Sequence, residues 1–473
     1  MSTPLLLAIS AALFFGALGI GLAGVYIIPR LCMWALRPGV TYANFGFHYL
    51  LQSIIRGISN SGFFSSLFGD SSAIVWYMRY VGWNLNTVYQ TGSNMGSDQK
   101  HDNPFLCNIG SGTMISDGLK MMNMQMSPTS FRLAESKIGD NNFLGNGISY
   151  PPNGRTGINV LFGTKTMVPI DGPVRENVGL LGSPAFEIPR NVCRDRDMCA
   201  SFDEQTRLAR LRRKNMYNFV TALIFIASQW VVLAVAFMLG RAAIANIDHF
   251  GIFGFFGFSV ADIAFNMAFL IVLERAVMGF KRLKPRLASI YDPYFWWHER
   301  HWKLNAFPIL GMFAGTPFRG MLLRAMGMKV GAKLFDFSLG IPERQLVEVG
   351  DYTNLNEGCV LQAHSLEEGV FKSDYIRLGN RCSVGPGALV HYGVSTGDDV
   401  VLDADSFLMK GEILDSHTGW CGNPAKLARR HVARAAVCVQ DAADATVRNE
   451  SSSHKPQPSR FARRGGGFAC NER

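Results

Sequence analysis

Two histidines and one asparagine in the C-terminal half of the chain could carry out acyl transfer. That reaction needs a base to take a proton from an attacking amine or hydroxyl group, and a donor for the developing oxyanion. His364 and His391 are the candidate bases, and Asn356 is the candidate oxyanion donor. A carboxylate could orient His364 by holding its second ring nitrogen. The carboxylates near it in sequence are Glu357, Glu367 and Glu368.

Each of these three residues also has a simpler interpretation. His364 could be a solvated residue of a loop. His391 directly follows a position predicted to be internal, which favours a structural role over a catalytic one. Asn356 could equally cap a turn, as asparagine side chains often do.

Basic residues close to the end of the same region could bind a thioester donor. Coenzyme A, or a phosphopantetheine arm on a carrier, needs a groove and cations for its phosphates. Lys410, Lys426 and Arg429 are the candidate cations, with solvation at the surface as the alternative. The nine cysteines show no CxxC and no paired spacing, so we expect neither a zinc site nor a disulfide framework. No metal is expected.

A six-residue period positions these candidates. Between Val349 and Ala425 an aliphatic residue, or once a threonine, recurs every sixth position as far as Leu408, except for a break between Leu361 and Leu378, and glycine often follows it. This pattern is typical of a parallel β-helix, in which each hexad forms a short strand and a turn. The aliphatic residues would point inward, and glycine would supply turn conformations that other residues resist. The predicted internal residues are Val349, Leu355, Leu361, Leu378, Val384, Val390, Thr396, Leu402 and Leu408.

The same period occurs earlier, between Ile109 and Ala185, and a shift of 240 positions superposes the two stretches without a gap. This indicates an internal duplication. In both copies a long interruption, at 121–136 and 361–376, predicts a loop extruded from the β-helix. The first copy has Met124 where the second has His364, and Pro151 where the second has His391. We therefore expect the first copy to be non-catalytic in its own right, as a structural partner or an acceptor platform.

The composition favours a membrane protein. Hydrophobic residues make up 48% of the 473 positions and charged residues only 17%. Residues 5–28, 217–239 and 250–273 are apolar enough to span a bilayer. Basic residues flank these segments, which accounts for the net charge of +10 better than nucleic-acid binding does. Their positions predict a multi-pass membrane protein with both β-helices on the cytosolic side.

These signals divide the chain into predicted segments. They are a transmembrane helix (1–30), interfacial or linker helices (31–100), a first hexapeptide β-helix (101–200), a transmembrane hairpin (206–276), an amphipathic linker (277–326), a second hexapeptide β-helix with the start of a capping helix (327–432), and a helix followed by a disordered tail (433–473). The first span matches the second arm of the hairpin, so an ancestral unit would carry a further arm before it.

Long stretches of the chain resemble a known family. The β-helix with its Gly-[Ser/Asn]-Pro-Ala ending resembles the left-handed hexapeptide-repeat acyltransferases. Residues 1–430 resemble the membrane-bound C-terminal region of poly-lysine-synthetase-type nonribosomal peptide synthetases. The matching stretches are SGTMISDGLKMMNMQMS (111–127), PPNGRTG (151–157), PIDGPVRENVGLLGSPAFEIPR (169–190), GTPFRGMLLRAMGMKVG (315–331), IPERQLVEVGDYTNLNEGCVLQAHS (341–365) and DSFLMKGE (405–412).

The resemblance implies transmembrane hairpins alternating with tandem left-handed β-helices that condense amino acids delivered by adenylation and carrier domains. It also implies a trimer or pseudo-trimer of hexapeptide domains and a loop histidine as general base, which matches His364. The chain carries no adenylation motif and no carrier serine, so these domains are expected in trans or in a longer parent chain.

Three functions remain open at this point. The first is a membrane-anchored acyl or aminoacyl transferase of the nonribosomal peptide synthetase type. The second is a coenzyme-A-dependent acetyltransferase acting on an envelope sugar or lipid. The third is a non-catalytic scaffold of hexapeptide domains. The expected partners are membrane lipids and the adenylation and carrier domains, and no nucleic acid.

Overall fold

The structure is a computed structural model that describes residues 2–86, 98–190, 203–304, 308–367 and 369–429. The predicted helix and disordered tail at 433–473 lie outside the described residues. The helices are α1 (Thr3–Met33), α2 (Phe47–Ser59), α3 (Gly62–Phe68), α4 (Ala73–Val81), α5 (Glu204–Ala245), α6 (Ile247–Val277), α7 (Pro293–Leu304) and α8 (Pro317–Ala325). Short 3-10 helices cover Pro104–Leu106, Pro308–Phe313 and Arg344–Leu346.

Three of these helices, α1, α5 and α6, are long and apolar enough to cross a membrane. They contain the three segments predicted as spans. Helices α5 and α6 pack against each other as the predicted hairpin, and α1 packs against α5. The short helices α2, α3 and α4 lie between α1 and the first β-strands of the repeat, within the segment predicted to hold linker helices.

The strands of the N-terminal half form three parallel sheets, ordered β12-β9-β4-β2, β14-β13-β10-β5 and β11-β6-β3. We call this three-sided body the first prism. Its strands and their neighbours are β1 (Thr41–Ala43), β2 (Asn84–Leu85), β3 (Lys100–His101), β4 (Cys107–Ile109), β5 (Met114–Ile115), β6 (Lys120–Met121), β7 (Met124–Met126), β8 (Ser130–Leu133), β9 (Ser136–Ile138), β10 (Phe143–Leu144), β11 (Ser149–Tyr150), β12 (Arg155–Thr156), β13 (Leu161–Phe162), β14 (Gly179–Leu181) and β15 (Phe186–Ile188).

The C-terminal half repeats this arrangement, with parallel sheets ordered β17-β19-β24-β27-β30, β18-β20-β25-β28-β31 and β21-β26-β29. We call this body the second prism. Its strands and their neighbours are β16 (Leu287–Ser289), β17 (Lys329–Val330), β18 (Phe335–Asp336), β19 (Val347–Val349), β20 (Asn354–Leu355), β21 (Val360–Gln362), β22 (His364–Glu367), β23 (Val370–Ser373), β24 (Ile376–Leu378), β25 (Ser383–Val384), β26 (Leu389–His391), β27 (Ser395–Thr396), β28 (Val401–Leu402), β29 (Phe407–Leu408), β30 (Ile413–Leu414), β31 (Gly419–Cys421) and β32 (Lys426–Arg429).

The residues that the six-residue period predicts to be internal are buried, apart from the half-buried Thr396. Leu355, Leu361 and Val390 have no exposed surface. The parallel register places Leu361 directly beside Val390 and Val390 beside Leu408 in successive coils. Stacked aliphatic side chains therefore fill the second prism, and burial of apolar area is its main source of stability.

The interruption in each copy is a β-hairpin, where the sequence predicted a loop. Strands β7 and β8 pair antiparallel in the first copy, as β22 and β23 do in the second. A strand from outside the repeat completes each sheet, β1 against β8 and β16 against β23. The extra strand covers the hairpin edge, which gives His364 at the start of β22 a fixed backbone.

The prediction that a capping helix starts after Lys426 does not hold for residues 427–429, and residues 430–432 lie outside the described residues. Residues Lys426–Arg429 form strand β32, which pairs antiparallel with β31. The backbone of β31 would otherwise present unpaired N–H and C=O groups at a sheet edge, and β32 satisfies them. Strand β15 closes the first prism in the same way against β14.

We expect Gly385→Ala to destabilise the second prism. A Cβ atom at Gly385 would lie 2.6 Å from the backbone nitrogen of Ala404 in the next coil. Forcing atoms into a packed site costs about 1–3 kcal/mol. The control is Gly311→Ala, because a Cβ at Gly311 has no neighbour within 4 Å. Thermal unfolding of the two variants in detergent should show a lower midpoint for Gly385→Ala alone, and equal midpoints would contradict the packing argument.

Candidate active site

His364 lies in a cleft between the two prisms. It is the first residue of β22, and only 7% of its surface is exposed. Its ring packs against Trp302 from α7, with ring centroids 4.5 Å apart, and stacks on Phe371 from β23 at 5.8 Å. The predicted alternative of a solvated loop residue does not describe this environment.

A buried carboxylate holds one ring nitrogen of His364. The Nδ1 atom lies 2.8 Å from Oε1 of Glu343, whose side chain has no exposed surface. The same Oε1 accepts a hydrogen bond from the indole N–H of Trp302 at 2.6 Å and lies 3.2 Å from Nε2 of His298. Burial alone would raise the pKa of Glu343, but His364 and His298 bring it below its ordinary value.

An ionised Glu343 favours the tautomer of His364 with its proton on Nδ1, which leaves Nε2 to accept a proton. The amide Nε2 of Gln362 lies 3.3 Å from Nε2 of His364. Oε1 of Gln362 in turn accepts a hydrogen bond from Nδ2 of Asn146, which belongs to the first prism. The atom that would act as base therefore faces an amide relay that links the two prisms.

The carboxylates nearest in sequence do not hold His364. Glu367 pairs with Lys372 at 3.7 Å and with Lys410 at 3.3 Å. Glu357 is exposed, and Glu368 lies outside the described residues. The orienting residue Glu343 was missed because it precedes His364 by about one coil and approaches it only through the fold. It lies within the 341–365 stretch that carries the family resemblance, which is the signal that could have found it.

Both prisms and the linker elements line the cavity at His364. The cavity has a volume of about 290 Å³. Its walls include Asp70 from the α3–α4 turn, Asp117 and Asn146 from the first prism, and Trp302 from α7. Direct contacts between the prisms bring these walls together. Lys165 of the first prism pairs with Asp405 of the second, and Nδ2 of Asn423 donates to the carbonyl oxygen of Lys165 at 2.8 Å.

A second, more apolar groove of about 230 Å³ continues from this cavity between the prisms. His391 lines the groove, with its ring 5.5 Å from that of Phe407. Burial, and next the charges of His364 and Lys410, lower the pKa of His391 to about 3. His391 is therefore neutral throughout the physiological pH range and only weakly basic. These properties suit a residue that lines the groove.

The structure does not gather the remaining predicted residues at His364. Nδ2 of Asn356 donates to the carbonyl oxygen of Val384 at 2.8 Å, so its amide joins successive coils. Lys410 lines the apolar groove and pairs with Glu367. Lys426 is exposed on β32 at the end of the second prism, and the backbone of Arg429 pairs with Gly419 there.

The first copy has neutral residues at the positions of this cluster, although the neighbouring Asp102 pairs with Arg56 at 3.8 Å and accepts from the backbone N–H of Met124 at 3.2 Å. Strand β1 pairs with Phe131, and strand β16 pairs with the equivalent residue Phe371. When the two strands are aligned at these partners, Gln52 is the counterpart of His298. The counterpart of Glu343 is Asn103, and the counterpart of His364 is Met124. Nδ2 of Asn103 donates to Oε1 of Gln52 at 2.9 Å, in the place of the glutamate–histidine contact. The fold of the first copy therefore forms with neutral residues at the three positions that Glu343, His364 and His298 occupy in the second copy.

Fold and site together define a hexapeptide-repeat β-helix protein with a histidine–glutamate pair in a cleft. No family model matches the chain. It is 24% identical over 328 residues to the delta-poly-L-ornithine synthetase of Acinetobacter baumannii (strain AB307-0294), covering 68% of this chain and 24% of that protein. The chain thus spans about a quarter of the length of that relative.

Solved structures with similar regions include two acetyltransferases. A maltose O-acetyltransferase from Clostridium difficile 630 is 14% identical, with a TM-score of 0.25, and the match covers 34% of this chain and 98% of that one. A galactoside acetyltransferase in complex with coenzyme A is 18% identical, with a TM-score of 0.22, and the match covers 25% of this chain and 76% of that one.

Proposed function

We propose that the chain is a membrane-anchored acyl or aminoacyl transferase in which His364 is the general base. The observation that carries this proposal is the His364–Glu343 pair, buried in a cleft and replaced by Met124 and Asn103 in the duplicate. A structural cluster would be equally useful in both copies. A base beside a cavity is needed in only one copy, and this difference between the copies argues against a pure scaffold.

The reaction begins with an acceptor amine or hydroxyl in the cavity and a thioester in the apolar groove. Nε2 of His364 takes the proton as the acceptor attacks the thioester carbonyl. The tetrahedral intermediate collapses with cleavage of the carbon–sulfur bond, and the proton passes from His364 to the departing thiolate. Glu343 stabilises the imidazolium in between. The amide of Gln362, close to Nε2, is better placed than Asn356 to donate to the oxyanion.

The donor is a thioester of coenzyme A or of a carrier-bound phosphopantetheine. The narrow groove lined by His391 and Lys410 suits the extended apolar arm, and Lys426 and Arg429 remain candidates for phosphate contacts. The similarity to a poly-ornithine synthetase favours amide formation between amino acids. Adenylation and carrier domains, in trans or in a longer parent chain, would then load the donor. We further propose that the prisms are left-handed and form a trimer or pseudo-trimer. They would lie on the cytosolic face of a membrane.

The acceptor cavity favours a cation. Asp70 and Asp117 both line it, and so does Arg344, whose Nη1 is already paired with Glu274. Lys303, whose charge acts on Asp70, donates from Nζ to the carbonyl oxygen of Leu67 at 2.8 Å. Burial, and next the charge of Asp117, raise the pKa of Asp70 to about 7, while Lys303 and His364 act in the opposite direction and Glu299 raises it further. A bound ammonium group would relieve this crowding of negative charge. We therefore propose an acceptor with a second, protonated amine, as in a basic amino acid.

We expect Asp70→Asn to raise KM for a diamine-type acceptor by about 10- to 100-fold, the cost of one hydrogen bond to a charged group. KM for a neutral acceptor of equal length should not change. In the wild type, KM for the cationic acceptor should rise as the pH falls through about 7, because protonation removes the charge of Asp70. In Asp70→Asn, KM should not rise as the pH falls through this range. If the variant has the same pH profile of KM as the wild type, ammonium binding at Asp70 is ruled out.

The proposed function is tested by following thioester turnover in purified membranes or nanodiscs. The donors are aminoacyl-coenzyme A, an aminoacyl carrier protein and acetyl-coenzyme A, each with amine and sugar acceptors. Amide formation from an aminoacyl donor supports the proposal. Turnover with acetyl-coenzyme A and a sugar or lipid alone would favour the envelope acetyltransferase, and no turnover with any pair would favour the scaffold.

A further inference from the structure

Helix α7 connects the candidate active site to the first arm of the apolar hairpin. One side of α7 presents His298 and Trp302 to Glu343, as described above. The neighbouring residue Glu299 forms an ion pair with Lys214 of α5, with Oε1 and Nζ 2.6 Å apart. Both side chains are at most 1% exposed. The helix is therefore held on one side by a charged residue of α5 and on the other by the carboxylate that orients His364.

A second buried ion pair connects the site to the other arm of the hairpin. Arg344 directly follows Glu343 in the chain. Its Nη1 donates to Oε2 of Glu274, near the C-terminal end of α6, at 2.9 Å. Glu274 has no exposed surface, and the side chain of Arg344 is 10% exposed. Any displacement of α6 would therefore be transmitted to the backbone that carries Glu343.

Burying two charged pairs is costly, and well-packed apolar residues would often give equal or greater stability. The first copy supports this comparison. The counterpart of Arg344 is Pro104, and the counterpart of Glu299, counted from β1 and β16, is Ser53. Neither can form such an ion pair. The two pairs thus occur in the copy that has the histidine–glutamate pair, and the copy without the base folds without them.

We propose that Arg344–Glu274 and Lys214–Glu299 are positioning pairs through which the hairpin of α5 and α6 sets the geometry of Glu343 and His364. This inference rests on the proposed function, because it assigns the pairs a role in that reaction. The hairpin is then part of the active-site scaffold as well as an anchor. A tight cluster matters for catalysis, since small misplacements of reacting groups cost large factors in rate.

The test compares Arg344→Met, Arg344→Lys and the double variant Glu274→Met/Arg344→Met in the full chain, in nanodiscs. The double variant removes both charges, so it leaves no buried unpaired charge and is expected to stay folded. We expect kcat to fall about 10- to 100-fold in Arg344→Met and in the double variant, with KM for donor and acceptor unchanged. Arg344→Lys, which keeps a donor for Glu274, should retain more activity. Lys329→Met, which breaks the more exposed Lys329–Glu348 pair of the second prism, is the control and should match the wild type.

The outcomes distinguish a positioning role of the ion pair from a role in stability or in substrate binding. A folded double variant with wild-type kcat would show that the Arg344–Glu274 pair serves stability only, and would overturn the proposal that the hairpin positions the site through it. A raised KM in place of a lowered kcat would assign Arg344 to substrate binding, since it lines the cavity, and would also overturn it. Failure of the proposed function is recognised separately, because the wild type itself would then show no transfer.

Discussion

Alanine at position 364 will lower kcat for thioester transfer by about 10²- to 10⁴-fold, the usual contribution of a general base. The buried carboxylate of Glu343 lies at Nδ1 of His364, which leaves Nε2 of the imidazole to accept a proton in the cavity. Its removal leaves the donor groove unchanged, so KM for the thioester should change little. Steady-state release of free thiol by protein in nanodiscs measures both constants.

Met124→Ala is the matched control for this replacement, because Met124 occupies the equivalent place in the first copy. It should leave kcat unchanged, since the first copy carries no base. Equal losses in the two variants would point to a structural effect of truncating the hairpin. An unchanged kcat in His364→Ala would remove His364 from the reaction and, with it, the main support for an enzyme.

The sequence was sufficient to predict what depends on local periodicity. The hexads repeat every six residues, so the internal positions, the parallel β-helix and the duplication follow from spacing alone. The apolar segments likewise predicted α1, α5 and α6 by length. His364 could be singled out because the duplicate lacks it. Its place at the start of an extruded segment was also visible as a break in the period.

The rest of the site depends on contacts that no local pattern encodes. Glu343 comes about one coil before His364 and meets it only in the folded chain, and Trp302 approaches from a helix outside the repeat. Asn146 contacts Gln362 only because the two prisms pack together. Asn356 was chosen close to His364 in sequence, and Lys426 for its place in the Gly-Asn-Pro-Ala-Lys ending of the β-helix. A β-helix turns its chain away within a few residues, so neither choice places the side chain at His364. Spacing therefore located the coil that carries the site, while packing selected the partners.

Replacement of Glu343 by glutamine will also lower kcat, by about 10²- to 10⁴-fold, although the variant keeps the size and shape of the side chain. The amide oxygen can still accept from the indole N–H of Trp302 and lie at Nδ1 of His364, but the amide carries no negative charge. It therefore no longer stabilises the imidazolium that forms when Nε2 takes the proton, which is one role of the buried carboxylate in serine protease triads. The buried side chain should stay in place, so donor KM is expected to be unchanged.

The matched control for Glu343→Gln is Asn103→Asp, which introduces a carboxylate at the equivalent place beside Gln52. It should not create activity, because Met124 stands where the second copy has His364. Combining His364→Ala with Glu343→Gln gives a stricter test. If the two residues act as one unit, the double variant will be no slower than His364→Ala alone. Independent losses that multiply would show that Glu343 acts on the reaction by a route other than the imidazole.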